Sequence, residues 1–114
     1  MRPAKPDPVK PVVSVFTAEA GLFSPVLKRL EARFGAVDLL SEPLPFTTTD
    51  YYREEFGEGL TRKVASFERL MGAEELAPAK LFTNRVEDDY ASGGRRRVNI
   101  DPGYMALEKF VLAS

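Results

Sequence analysis

The first part of the chain carries two patterns of apolar positions. Residues 12–16 read VVSVF, a β-branched run that is typical of a buried strand. In residues 22–35, Ser24 can cap a helix, Pro25 suits its first turn and Gly35 suits its end. Four apolar residues recur there on one face at helical spacing, which predicts an amphipathic helix: Val26, Leu27, Leu30 and Phe34.

The middle of the chain predicts two further strands. Residues 36–42 (AVDLLSE) read as a strand whose continuation is interrupted by Pro43 and Pro45. The glycines of EFGEG predict a reversal, after which residues 60–71 return as a third strand. The alternation of polar and apolar positions in residues 60–71 is imperfect, so a helix there stays open.

After Gly72 the apolar positions again follow a helical period. They form one stripe, composed of Leu76, Ala79, Phe82, Val86 and Tyr90. Because proline removes a backbone donor, the regular helix is expected to begin at Pro78. The segment SGG ends it.

The last segment predicts a strand followed by a helix. Val98 and Ile100 alternate with polar residues, as in a strand with one buried face. Asp101 and Pro102 are typical of an N-cap and a first helical residue, so a final helix is expected over residues 104–114. Its inward residues would be Leu107, Phe110 and Val111.

The order of these elements predicts the fold class. It is that of an α+β protein with a ferredoxin-like (split βαβ) antiparallel sheet and helices on one face. A chain of 114 residues has room for one core, so residues 11–114 are expected to form a single α+β domain. Residues 1–10 are rich in proline and are expected to form an N-terminal tail.

Composition excludes several chemistries, because the chain has no cysteine, histidine or tryptophan. A cysteine nucleophile, a disulfide, a Ser-His-Asp triad and a structural zinc site are impossible within it. Catalysis would have to use carboxylates, lysine, tyrosine or hydroxyls, or a hard metal held by oxygen ligands. Whether the protein is an enzyme stays open, and the sequence identifies no cofactor.

Charge and hydropathy limit the partners. The 16 basic and 17 acidic residues give a net charge of -1, which provides no general attraction for nucleic acid. No apolar run reaches the roughly 20 residues that cross a bilayer, and the N-terminus has no apolar signal region. We therefore expect a cytoplasmic protein without a membrane or nucleic-acid partner.

The segment RRRVNIDPGYM, residues 95–105, is the first candidate site. Arginine presents a planar fork of donors that matches phosphate and carboxylate groups. Alternatively, the arginines form a solvated charge run at the start of a strand that ends in a turn, and both interpretations stay open. The ligand-binding candidates in this segment are Arg95, Arg96, Arg97, Asn99, Asp101 and Tyr104.

Residues 47–58 (TTTDYYREEFGE) are the second candidate site. Asp50 and the glutamates offer oxygen ligands for Mg²⁺ or Ca²⁺, but they also fit a solvated acidic turn without calcium-loop spacing, so no metal site is assigned. Tyr51 and the aromatic residues near it could stack on a planar ligand or belong to the core.

Several stretches resemble, in order, a known family: SEPLPFTTTDYY, GEGLTRKVASFERLM, AKLFTNRVE and RRVNIDPGYMALEKFVLAS. This is an uncharacterised family of bacterial and archaeal proteins, domain-of-unknown-function family 4416. The resemblance runs from about Lys10 to Ser114. Its members look longer, which implies that this chain lacks a C-terminal part. The resemblance implies no catalytic residue.

The leading functional hypothesis is a small non-catalytic module that binds a partner or an anionic ligand on the sheet face left open by the helices. One alternative is a divalent-metal-dependent enzyme that acts on a nucleotide or phosphorylated substrate through Asp50 and Asp101. Another is an RNA-binding module with exposed aromatic residues. The apolar run MALEKFVLA also predicts a homo-oligomer that assembles through the C-terminal segment.

Overall fold

The computed structural model describes residues 7–45, 55–106 and 110–113, in which six strands and two α-helices are defined. In chain order they are β1 (Lys10–Thr17), α1 (Phe23–Phe34), β2 (Val37–Leu40), β3 (Leu44–Pro45), β4 (Thr61–Phe67), α2 (Leu76–Tyr90), β5 (Val98–Met105) and β6 (Phe110–Leu112). No helix in these ranges is both long enough and apolar enough to cross a bilayer.

The strands form one antiparallel sheet in the order β2-β4-β1-β5-β6, and β3 also pairs with β4. The longest ladder joins β1 to β5, from Lys10 opposite Met105 to Thr17 opposite Val98. The α+β class and the antiparallel sheet are thereby confirmed. The ferredoxin-like assignment and the single domain over residues 11–114 stay predictions.

One face of the sheet packs against both helices. The Phe34 and Phe67 rings lie 5.2 Å apart, so the end of α1 meets the end of β4 in the core. This confirms the inward face predicted for α1, although Leu27 is only partly buried. The core residues of the strands and helices are Val13, Val15, Ala65, Phe67, Val98, Ile100, Phe23, Val26, Leu30, Phe34, Ala79 and Val86.

The opposite face of the central strands is also buried. Val12, Ser14 and Phe16 of β1 expose 3%, 4% and 2% of their surface. On β5, Asn99 and Asp101 lie opposite Phe16 and Ser14 and expose 7% and 9%. The expectation of an open sheet face is therefore wrong at β1 and β5.

The predicted final helix is also wrong, because Asp101 and Pro102 lie in the interior of β5. Successive backbone N–H groups of a strand point to opposite edges, and the Ile100 N–H points away from β1 toward Glu87 of α2. Pro102 shares that outward direction, so its missing donor costs no bond to β1. Leu107 lies outside the described residues, and Phe110 and Val111 belong to β6.

In the middle of the chain one ambiguity is resolved and one predicted helix start is corrected. Residues 60–71 contain the strand Thr61–Phe67, not a helix. A short 3₁₀ turn, Ala73–Glu75, leads into α2, which begins at Leu76, two residues before the predicted start. Pro78 is accommodated because the N–H groups of a first helical turn have no acceptor within the helix.

Candidate functional site

The structure places the first two arginines of the predicted site in different surroundings. Arg95 is exposed in a turn closed by two backbone hydrogen bonds with Ser92. Arg96 donates from Nε and Nη2 to the two carboxylate oxygens of Glu55, at 2.9 and 3.0 Å. Its Nη1 donates to Asn99 Oδ1 at 2.7 Å, and its guanidinium lies 5.1 Å from the Phe56 ring centroid. Arg96 is thus fully engaged within the chain.

Arg97 forms a two-bond ion pair with Glu19. Its Nε and Nη2 donate to the Glu19 carboxylate at 2.9 and 2.7 Å, and this contact lowers the pKa of Glu19. The Thr17 hydroxyl donates to the Arg97 carbonyl at 2.6 Å and accepts the Glu19 N–H. These contacts join the end of β1 to the start of β5.

A polar network continues along the outer edge of β5. Asn99 Nδ2 donates to Asp101 Oδ2 at 2.8 Å, and Lys80 Nζ lies 3.3 Å from Asp101 Oδ1. The Lys80 ammonium also donates to the Ile100 carbonyl at 3.2 Å, while the Ile100 N–H donates to Glu87 Oε2 at 2.6 Å. Side chains of α2 therefore satisfy a strand edge that would otherwise lack partners.

The sequence did not indicate Glu87 as a member of this network. In the structure Glu87 is buried, with 5% of its surface exposed. Burial raises its pKa, because the Ile100 N–H and the charges of Lys80 and Arg96 only partly offset the loss of solvent. A signal was present, since Lys80, Thr83 and Glu87 recur at helical spacing directly beside the apolar stripe of α2.

The β5 segment as a whole is a structural network in which the cations are already paired. Two cations, Lys80 and Arg96, are matched by carboxylates of Glu55, Glu87 and Asp101. Within the described ranges, no group of three acidic side chains could hold a metal ion. Tyr104 is partly buried against the core, and Asp50 and Tyr51 lie outside the described residues.

A second cluster contains two arginines that lie beside a cavity. Arg33 in the last turn of α1 and Arg69 after β4 line a cavity of about 270 Å³, here called the arginine pocket. In the described part of the chain, neither guanidinium has a carboxylate within salt-bridge distance. The other lining residues are Pro11, Phe34, Leu70, Met71 and Glu75.

Local structure fixes both guanidinium groups. Arg69 Nη2 donates to the Arg33 carbonyl at 2.7 Å and so caps the C-terminal end of α1. Arg33 lies with its guanidinium carbon 5.5 Å from the Phe34 ring centroid. Glu75 accepts the Gly72 N–H through Oε2 at 2.8 Å, which completes the turn before α2.

Gly35 ends α1 beside Arg69, and its replacement by alanine is expected to lower the free energy of unfolding by about 1 to 3 kcal/mol. Its φ of 98° with ψ of -172° is a backbone conformation that side chains disfavour. An added Cβ would also lie 3.2 Å from the Arg69 Cβ. Urea unfolding measures the change.

The matched control is Gly21→Ala, because a Cβ at Gly21 would meet nothing within 4 Å and its φ is not in the left-handed region. This control should unfold within about 0.5 kcal/mol of the wild type. Equal stabilities of the Gly35→Ala and Gly21→Ala proteins would contradict the role of Gly35.

Comparison with known families agrees with the resemblance seen in the sequence. The model of the family described as "Domain of unknown function (DUF4416)" matches residues 7–114. The chain belongs to this family. No curated protein and no solved structure matches this DUF4416 chain. Its bacterial or archaeal origin and its missing C-terminal part stay predictions.

Proposed function

We propose that this DUF4416 protein is a non-catalytic α+β module that binds a small anionic ligand, and that the arginine pocket receives the ligand. The observation that carries the proposal is the pair of guanidinium groups, Arg33 and Arg69, that line one cavity without a carboxylate partner among the described residues. An anion entering the pocket would meet donors that no internal acid already neutralises.

The composition of the pocket wall supports an anion with an apolar part. Phe34, Leu70 and Met71 line the cavity beside the guanidinium groups. These three side chains give the wall an apolar portion that an apolar part of the ligand can contact. A volume of about 270 Å³ lies at the small end of ligand pockets, so the ligand is small.

The arginines of β5 suit a ligand less well than Arg33 and Arg69. An anion at Arg96 or Arg97 would have to displace a carboxylate that already makes two hydrogen bonds. That exchange replaces one ion pair by another and provides little net free energy. The proposal therefore keeps the anionic ligand expected from the sequence and transfers its site to the arginine pocket.

Replacing Arg33 by alanine is expected to weaken the binding of a small anion roughly 10- to 100-fold, the loss of one charged hydrogen-bonding group. The probes are inorganic phosphate, which tests the charge alone, and benzoate, which adds an apolar ring. Titration followed by amide chemical shifts measures the dissociation constant and shows whether the shifts cluster around Phe34 and Met71.

The matched control is Arg85→Ala, which removes the same charge from an exposed position on α2. It should bind both probes as the wild type does. Absence of saturable binding of phosphate and benzoate by the wild type, or equal weakening by Arg33→Ala and Arg85→Ala, would overturn the proposal.

A further inference from the structure

The outer face of α2 carries an apolar groove that the proposed ligand site does not use. Its volume is about 630 Å³, and its wall is almost entirely apolar. Leu81 stands at its rim with 69% of its surface exposed, and Ala77 is also exposed. The remaining lining residues are Ala73, Glu74, Leu76, Lys80 and Ala113.

We propose that this groove is the contact surface of a homodimer, in which α2 packs antiparallel against α2 of a second copy. The pairing is centred near residue 79. In a two-fold symmetric contact, residues at equal distances on either side of the centre face each other. Leu81 of one copy then lies opposite Ala77 of the other, so a large side chain fills the space left by a small one.

The charges flanking the groove fit the same pairing. Glu74 lies five residues before the centre and Arg85 lies six residues after it. Glu74 of one copy therefore faces Arg85 of the other copy. Glu74 lines the groove from the 3₁₀ turn that precedes α2, and Arg85 lies within α2. Both are exposed, and neither forms an ion pair with another described residue. The dimer provides both with a partner of opposite charge.

Lys80 does not compete for Glu74, because its ammonium is held by Asp101 and the Ile100 carbonyl. One helix pair buries less surface than a standard interface, so we expect a weak dimer with a dissociation constant of about 10 µM to 1 mM. The apolar run MALEKFVLA predicted a contact through the C-terminal segment. This groove includes only Ala113 of that segment and is formed mainly by α2.

Sedimentation velocity over about 10 µM to 1 mM protein tests the dimer. Leu81→Asp should weaken association at least about 10-fold, because it places a charge against the apolar wall. Leu39→Asp is the matched control, since Leu39 is 68% exposed on β2, away from the groove. It should associate as the wild type does.

A charge exchange tests the register. Glu74→Arg alone should weaken the dimer, because two arginines then face each other, and adding Arg85→Glu should restore it. Recovery in the double variant supports the antiparallel pairing. A wild type that stays monomeric throughout the concentration range, or a dimer weakened equally by Leu39→Asp and Leu81→Asp, would overturn the proposal. So would a double variant that remains as weak as Glu74→Arg.

Discussion

Replacing Glu87 by alanine is expected to lower the free energy of unfolding by roughly 2 to 4 kcal/mol. The Glu87 carboxylate accepts the Ile100 N–H at 2.6 Å on the outer edge of β5 and lies 3.9 Å from the Arg96 guanidinium. Alanine leaves a buried N–H without an acceptor and removes one of the carboxylates beside Arg96. Urea unfolding at neutral pH measures the loss.

Asp88→Ala is the matched control, because the neighbouring Asp88 is exposed on the same helix. This substitution should change the free energy of unfolding by about 0.5 kcal/mol or less. If Glu87→Ala cost no more than Asp88→Ala, the carboxylate of Glu87 would not be what holds the edge of β5.

Glu87→Gln separates the hydrogen bond from the charge, because the amide oxygen can still accept the Ile100 N–H. Burial raises the pKa of Glu87 above its ordinary value of 4.5. A carboxyl whose pKa is higher in the folded state than in the unfolded state stabilises the folded protein when it is protonated. This stabilisation is complete at pH values below the unfolded-state pKa, and it is lost as pH rises through the folded-state pKa. The stability of the wild type relative to Glu87→Gln should therefore decline as pH rises above 4.5.

The free energy of unfolding of the wild type must be compared with that of Glu87→Gln at each pH, because other carboxyls change the stability with pH in the opposite direction. The pKa values of Glu19, Asp38 and Glu55 are lowered, mainly by hydrogen bonds from Arg97, Lys10 and Arg96 respectively. Their contributions are lost as pH falls, and they cancel when Glu87→Gln is subtracted from the wild type. A difference that stays constant from about pH 4 to pH 8 would contradict the raised pKa of Glu87.

The elements that the sequence predicted correctly depend on local patterns. The run VVSVF in β1 and the stripe of α1 are each readable within one window of residues, and Gly35 marked the end of α1 as expected. The C-terminal region failed because Asp-Pro is a helix-start signal only when no strand continues through it. In this protein the ladder with β1 extends past Pro102, and that pairing lies far away in sequence.

The candidate sites were harder to predict for a related reason. The sequence around an arginine does not show whether its side chain will form an ion pair with a carboxylate in the folded protein. Arg96 finds Glu55, 41 residues away, whereas Arg69 finds the Arg33 carbonyl, 36 residues away. The three adjacent arginines therefore looked like the stronger ligand site, although two of them are occupied by carboxylates.

Gly103→Ala is expected to separate β6 from β5 and to lower the free energy of unfolding by roughly 2 to 5 kcal/mol. An added Cβ would lie 2.1 Å from the Val111 carbonyl oxygen and 2.9 Å from the Leu112 Cα. These are backbone atoms, which cannot rotate away as a flexible side chain can. Separation would break the pairing of Gly103 with Leu112 and the bond from the Ala113 N–H to the Pro102 carbonyl.

Urea unfolding together with hydrogen exchange of the Ala113 amide tests this prediction, with Gly21→Ala as the control that adds a Cβ in open space. Wild-type stability and wild-type protection of Ala113 in the Gly103→Ala protein would contradict it. Gly103→Ser adds the same Cβ, so it should cost about as much as alanine. A loss that grew strongly from alanine to serine would instead locate the clash at side chains beyond the Cβ, and not at the backbone of β6.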